Sequence, residues 1–159
     1  MANPEVNFQA LERAEWSDTE RSNARTMSEF VQLLMNDHDF AQVRERFSTG
    51  TYIQHNRAIP DGIDGLTDYV AGLAKRFPDY SYDVRRIVAS GELVVFHSHA
   101  TLKATHRGNQ KKGFIIFDTW KLENGEIVDH WDALQPLDVF ARLVTLLGGG
   151  RIRNDNGIY

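Results

Sequence analysis

Glu123-Asn124-Gly125-Glu126-Ile127-Val128-Asp129-His130-Trp131-Asp132, residues 123–132, is the stretch that decides the fold. Asn-Gly between two β-prone runs marks a two-residue hairpin, because both turn positions need a positive φ that these residues adopt at little cost. The run after the turn predicts a strand from Ile127 to about Leu134, and the run before it a strand from about Lys112 to Leu122. Upstream, the polar loop His106-Arg107-Gly108-Asn109-Gln110 follows a long strand from about Leu93 to Thr105. Ser90-Gly91-Glu92 turns the chain into that strand from one that begins near Tyr80. There Tyr82, Val84, Arg86 and Val88 alternate with Ser81, Asp83, Arg85 and Ile87, the period of two expected of a strand with one buried face.

Before Tyr80 the period is helical. Ser17-Asp18-Thr19-Glu20 has the form of a capping box, and Ala24, Met27, Phe30, Val31 and Leu34 repeat behind it until about Asn36. A second, shorter helix starts at Asp39 and carries Phe40, Val43 and Phe47. Thr51–Asn56 is a short β-prone segment and Ile59-Pro60-Asp61-Gly62 a turn. A third helix, capped near Asp64, carries Leu66, Tyr69, Val70, Leu73 and Phe77 and stops at Pro78. Residues 1–16 read as a lead-in from which Phe8, Leu11 and Trp16 can dock, and residues 17–136 as the domain. Residues 137–159 read as a helix with Val139, Phe140, Leu143, Leu146 and Leu147, ended by Gly148-Gly149-Gly150, and a polar tail from Arg151 to Tyr159. Helices first and strands afterwards predict an α+β fold: three N-terminal helices packed on a strongly curved, mostly antiparallel sheet. A sheet curled around helices encloses a cone, which is a ready pocket.

Composition narrows the functions. The 159 residues fit one domain. The net charge of −4 and the mixing of both signs along the chain argue against nucleic acid as a partner. There is no cysteine, which excludes disulfides, thiolate catalysis and Cys-ligated metals and fits a reducing compartment. No signal peptide and no apolar run of membrane-spanning length is evident, so a cytoplasmic protein with no membrane partner is expected. Gly148-Gly149-Gly150 is not followed by Lys-Ser/Thr and follows no strand, so it is no phosphate cradle. No cofactor is expected.

Ionisable groups sit inside the apolar strands. His97 and His99 share a strand face, as do Asp118 and Trp120, and His130 and Asp132. Three adjacent strands can therefore bring His97, His99, Asp118, His130 and Asp132 into one cavity as the catalytic set. Each has a bland reading as well, since a buried His or Asp satisfied by a neighbour is a common structural device. Asp118 follows the apolar run Phe114-Ile115-Ile116-Phe117 and needs a partner such as a His. If His130 and Asp132 face the pocket, Trp131 packs on the other side; in the opposite phase Trp131 lines the cavity and His130 is exposed, and the first arrangement is favoured. His55, Tyr52 and Trp120 are the candidate substrate contacts. If His55 points inward, Gln54 and Asn56 point out. His38 and His106 lie in loop contexts and read as solvated. His-x-His with a distant carboxylate is also the ligand set of cupin metal sites, but a cupin lacks a leading block of three helices, and no bound metal is expected.

The segments Tyr52-Ile53-Gln54-His55-Asn56, Ile59-Pro60-Asp61-Gly62, His97-Ser98-His99 and Glu123–Asp132 resemble the SnoaL-like, polyketide cyclase-like branch of the nuclear transport factor 2-like superfamily. The resemblance spans roughly residues 25–136. It implies a cone-shaped pocket, no obligatory cofactor and a homodimer formed through the sheet. It also implies a lyase or isomerase acting alpha to a carbonyl of a small hydrophobic molecule, by aldol-type cyclisation, isomerisation or dehydration. In such cyclases an acidic residue on a late strand is the general base, a position that Asp132 or Asp118 matches. A non-catalytic ligand-binding module on the same fold is the alternative.

Overall fold

A computed structural model describes residues 3–48, 50–148 and 152–158. The chain forms helices α1 (Phe8–Leu11), α2 (Asp18–Val31), α3 (Phe40–Phe47), α4 (Gly62–Arg76) and α5 (Val139–Gly148). The expected glycine stop of the last helix falls in part on Gly149 and Gly150, which lie outside the described residues. The strands are β1 (Ile53–Gln54), β2 (Ser81–Ser90), β3 (Leu93–Thr101), β4 (Phe114–Glu123) and β5 (Glu126–Pro136). They form one five-stranded sheet in the order β1-β5-β4-β3-β2. All neighbours are antiparallel except β1, which runs parallel to β5. The expected α+β architecture is the one observed.

The sequence signals act locally as expected. Ser17 accepts from the Glu20 amide while Glu20 accepts from the Ser17 amide, so the capping box starts α2. The stripe Ala24, Met27, Phe30, Val31 and Leu34 is fully buried, and α2 packs on β2 and β3. The helical run ends near Asn36 as expected, but its last turns, Gln32 to Asp37, widen to a π-helix, and His38 ends it at φ 53°. The widened turn aims the Asn36 amide at the sheet edge, where it donates to Tyr82 O at 3.0 Å and accepts from Tyr82 N at 2.8 Å. Asn36 thereby acts as one rung of a missing neighbour strand. His38 is not solvated as expected; its ring stacks on Phe40 and Tyr80. Asn124 and Gly125 both have positive φ, at 52° and 82°, as the hairpin requires.

One feature departs from the simple alternation. A bulge between Val84 and Arg86 shifts the phase of β2, so Tyr82 and Val84 face inward, then Ile87 and Ala89, while Arg86 and Val88 face out. The N-terminal segment docks as expected, with Trp16 buried and Phe8 and Leu11 packed against the core, and Phe8–Leu11 adds a helical turn.

Candidate functional site

The phase of each strand decides which ionisable groups meet. On β3 the inward residues are Val94, Phe96, Ser98 and Ala100. Pairing sets Phe96 opposite Asp118 on β4, Asp118 opposite Asp132 on β5, and Trp120 opposite His130. Parallel pairing then sets Gln54 of β1 beside His130. The concave face therefore gathers Asp118, Trp120, His130, Asp132 and Gln54, with Tyr52 two residues before Gln54.

His130 is 3% exposed and lies between Trp120, with ring centroids 5.2 Å apart, and Tyr52, at 6.4 Å. Its Nδ1 meets Gln54 Oε1 at 3.0 Å and its Nε2 meets Asp118 Oδ1 at 3.1 Å. The Gln54 amide is fixed from both ends: its oxygen accepts from the Asn56 backbone amide at 3.0 Å, and its nitrogen donates to the Tyr52 oxygen at 3.2 Å. Gln54 Oε1 can only accept, so Nδ1 of His130 carries a proton. The remaining proton of the pair lies between Nε2 and the Asp118 carboxyl. Burial pushes the Asp118 carboxyl above the usual carboxylate range; the His130 hydrogen bond and charge pull it back, and the Asp132 charge pushes it up again.

Asp132 has a different setting. It is only partly buried, and the Asn56 side chain donates to both its oxygens, each at 2.8 Å. Two carboxylates opposite each other in the sheet thus differ in partner and in access to solvent. Burial, with the charges of Asp118 and Asp132, keeps the Tyr52 and Tyr82 phenols protonated well past their ordinary range. Among the described residues, Ser98 Oγ, Asp118 Oδ2 and Trp120 Nε1 are buried on this face without a hydrogen-bond partner. Such atoms mark where a bound polar group would be satisfied.

One ligand atom from each of Asp118, His130 and Asp132 lies within 4.8 Å of the others, so these three could hold a cation. Both His130 nitrogens are already committed, so coordination through the imidazole would break the bond to Gln54 or to Asp118.

The structure separates the expected catalytic set. Asp118, His130 and Asp132 come together. His97 and His99 lie on the opposite, convex face, because inward Phe96 and Ser98 fix the phase of β3. His97 stacks on Phe117 at 4.5 Å, and its Nδ1 takes a hydrogen bond from Arg86. Desolvation, then Arg86 and Arg85, hold its pKa below the ordinary value. His99 contacts the Lys112 carbonyl at 2.7 Å. Of the five residues expected together, three meet on the concave face, and His97 and His99 do not join them. His55 also faces outward, stacked on Trp131 at 4.5 Å and 3.1 Å from Asp129, while Gln54 and Asn56 point inward, the reverse of the parity considered from sequence. Tyr52 and Trp120 do line the site. A signal for Gln54 and Asn56 existed: Tyr52, Gln54 and Asn56 share parity, so an inward Tyr52 carries the other two with it.

Two surface depressions, of about 260 and 280 Å³, lie away from these residues. The first is lined by residues including His99 and Arg107, the second by residues including Arg25 and Leu33. Neither contains Asp118, His130 or Asp132.

Solved structures share this architecture. TsrD from Streptomyces laurentii is 21% identical, with 85% of this chain and 99% of that chain covered at a TM-score of 0.59. A protein of Jannaschia sp. CCS1, provisionally assigned as a SnoaL-like polyketide cyclase, is 18% identical, with 83% and 96% covered at a TM-score of 0.62. An NTF2-like protein of unknown function from Cytophaga hutchinsonii ATCC 33406 is 17% identical, with 74% and 94% covered at a TM-score of 0.53. At these identities the likeness is one of fold. Comparison with curated proteins finds no match. Residues 25–143 match the family described as SnoaL-like polyketide cyclase, three quarters of the chain, and the protein belongs to that family.

Proposed function

We propose that this protein is a cofactor-independent enzyme that performs acid–base chemistry alpha to a carbonyl of a small hydrophobic molecule, closing a ring by aldol addition. The observation that carries this reading is the unequal pair of carboxylates on the concave face: Asp118 buried on His130, and Asp132 held by Asn56 and partly exposed. A carboxyl buried on an imidazole is suited to hold its neighbours in place, and a partly exposed one within reach of a ligand is suited to act as the base.

In this reading Asp132 takes the α-proton. The C–H electron pair moves into the C–C bond, and the carbonyl electrons move to oxygen. Tyr52, whose oxygen accepts from Gln54, has its phenol hydrogen to donate to that oxyanion. The enolate carbon then attacks a second carbonyl of the same molecule, and the resulting alkoxide takes the proton back from Asp132. The Asp118–His130 pair positions Gln54, and through it Tyr52. Isomerisation or dehydration would use the same first step. The convex face, with Val88, Leu93 and Phe117 exposed, supports assembly as a homodimer.

The test is exchange of α-protons in D₂O from a hydrophobic β-keto ester, followed by NMR. The wild type should accelerate exchange, and Asp132→Asn should lose about 10²–10⁴-fold, the usual contribution of a general base. Equal exchange by Asp132→Asn and wild type would sink the proposal. If the ester is bound by a protein that never exchanges it, the non-catalytic module is the right reading.

A further inference from the structure

We infer that the C-terminal segment Arg153–Gly157 is a strap that positions Gln54 and Asn56 in the site; this rests on the roles proposed above for Asp118, His130 and Asp132. Gln54 and Asn56 supply the hydrogen bonds to His130 and Asp132, yet they stand on a strand of two residues and the loop that leaves it. β1 is the edge of the sheet, with β5 on one side. The strap lies along this segment. Asn156 Nδ2 donates to Gln54 O at 2.9 Å and to Asp61 Oδ1 at 2.7 Å. Asp61 Oδ1 also accepts from the Gln54 backbone N–H at 2.8 Å. Asn154 Nδ2 donates to Asn56 O at 2.9 Å and to Ile59 O at 2.7 Å. The Arg153 amide donates to Arg57 O at 2.7 Å. The Gly157 carbonyl closes on His55 Nδ1 at 2.6 Å.

Two asparagine side chains thus span both backbone carbonyls of the residues that reach the site. Asparagine suits this role because its amide offers two donors on a short stem that loses little rotamer freedom. Asn156 is itself held, its backbone N–H donating to Asn154 Oδ1 at 3.2 Å, so the two asparagines are joined in one turn. His55 locks the far side. Its second nitrogen faces Asp129 and its ring stacks on Trp131, so the strap, the loop and β5 are joined through one imidazole. Freeing the strap lets the loop backbone move, and a displacement of about 1 Å at such a point is enough to cost catalysis about 10²-fold.

The test uses the full chain with Asn154→Ala, Asn156→Ala and the double substitution. The readout is the pair of ring-nitrogen resonances of His130 in long-range ¹H–¹⁵N spectra, beside the exchange assay. The double variant should remain folded by circular dichroism, shift the His130 ring nitrogens, leave those of His97 on the convex face in place, and slow exchange about tenfold or more. If the double variant does not fold, the single Asn154→Ala variant, which loses two loop contacts and the bond from the Asn156 N–H but keeps the Asn156 side chain, gives the same reading. Unchanged His130 resonances in a folded variant would overturn the strap. Should His130 shift while wild type shows no exchange, the strap stands and the catalytic reading fails. Should His130 stay put while Asp132→Asn abolishes exchange, the converse holds.

Discussion

Asp118 and Asp132 face each other across one strand pair, and their unequal burial sets them on different courses. Burial raises the Asp118 carboxyl above its ordinary 3.8. Between that value and the higher folded one, the native chain holds a proton that the unfolded chain has released. Stability from this group is therefore greatest at the acid end of the window and falls as pH rises through it. Asp118→Asn, neutral in both states, removes that slope. Urea midpoints of wild type, taken relative to Asp118→Asn, should decline from about pH 4 upward; a difference that is flat or rises with pH contradicts the assignment. The residue types of this site were legible in the sequence, because Asp118 and His130 interrupt apolar runs. Their company was not. β3 carries apolar residues at both parities, Val94 and Phe96 against Val95, so nothing in it says which face His97 and His99 share. In the segment Gln54-His55-Asn56 three polar residues compete, and the most conspicuous one, His55, is the one that points away.

The elements were legible where a local chemical signal fixes them. The capping box starts α2, Asn124-Gly125 makes the β4–β5 turn, and the strands fall near the expected runs. What the pattern does not carry is irregularity that only tertiary contact stabilises. The π-helical end of α2 exists because Asn36 meets Tyr82, and the β2 bulge exists because the sheet must bend around the helices. Gly113 is such a point. It stands at φ 81° at the start of β4, and a Cβ there would lie 2.2 Å from Ala100 O. Its amide also donates to Asp138, and its carbonyl accepts from Leu137, which ties β4 to the start of α5. Gly113→Ala should cost well over about 1 kcal/mol, beyond the ordinary glycine-to-alanine range, as read by urea denaturation. Gly72, in α4 with open space around its Cβ position, is the control and should tolerate alanine or gain stability. Equal stability of the two variants would refute the steric account.

At the scale of the molecule, the helices cover the concave face, while among the described residues the convex face is exposed around Phe117 and Val88. Phe117 and Val88 remain 47% and 56% exposed on adjoining parts of that convex face, and Phe117 carries the His97 ring against it. Apolar strands that face water on a broad sheet usually have a partner surface. Light scattering at micromolar concentration should return the mass of a dimer for wild type and of a monomer for Phe117→Glu. A wild-type monomer mass excludes this assembly. The layering also divides the histidines between the two faces of the sheet. His130 belongs to the cone with Asp118 and Asp132, and His97 and His99 belong to the outer surface. The measurement that tests this division most directly is α-proton exchange of the β-keto ester by four variants side by side: Asp132→Asn, His130→Gln, His97→Gln and His99→Gln. The two inner variants should lose about 10²-fold or more, and the two outer variants should exchange at the wild-type rate. Loss confined to His97→Gln or His99→Gln, with Asp132→Asn active, would contradict the account.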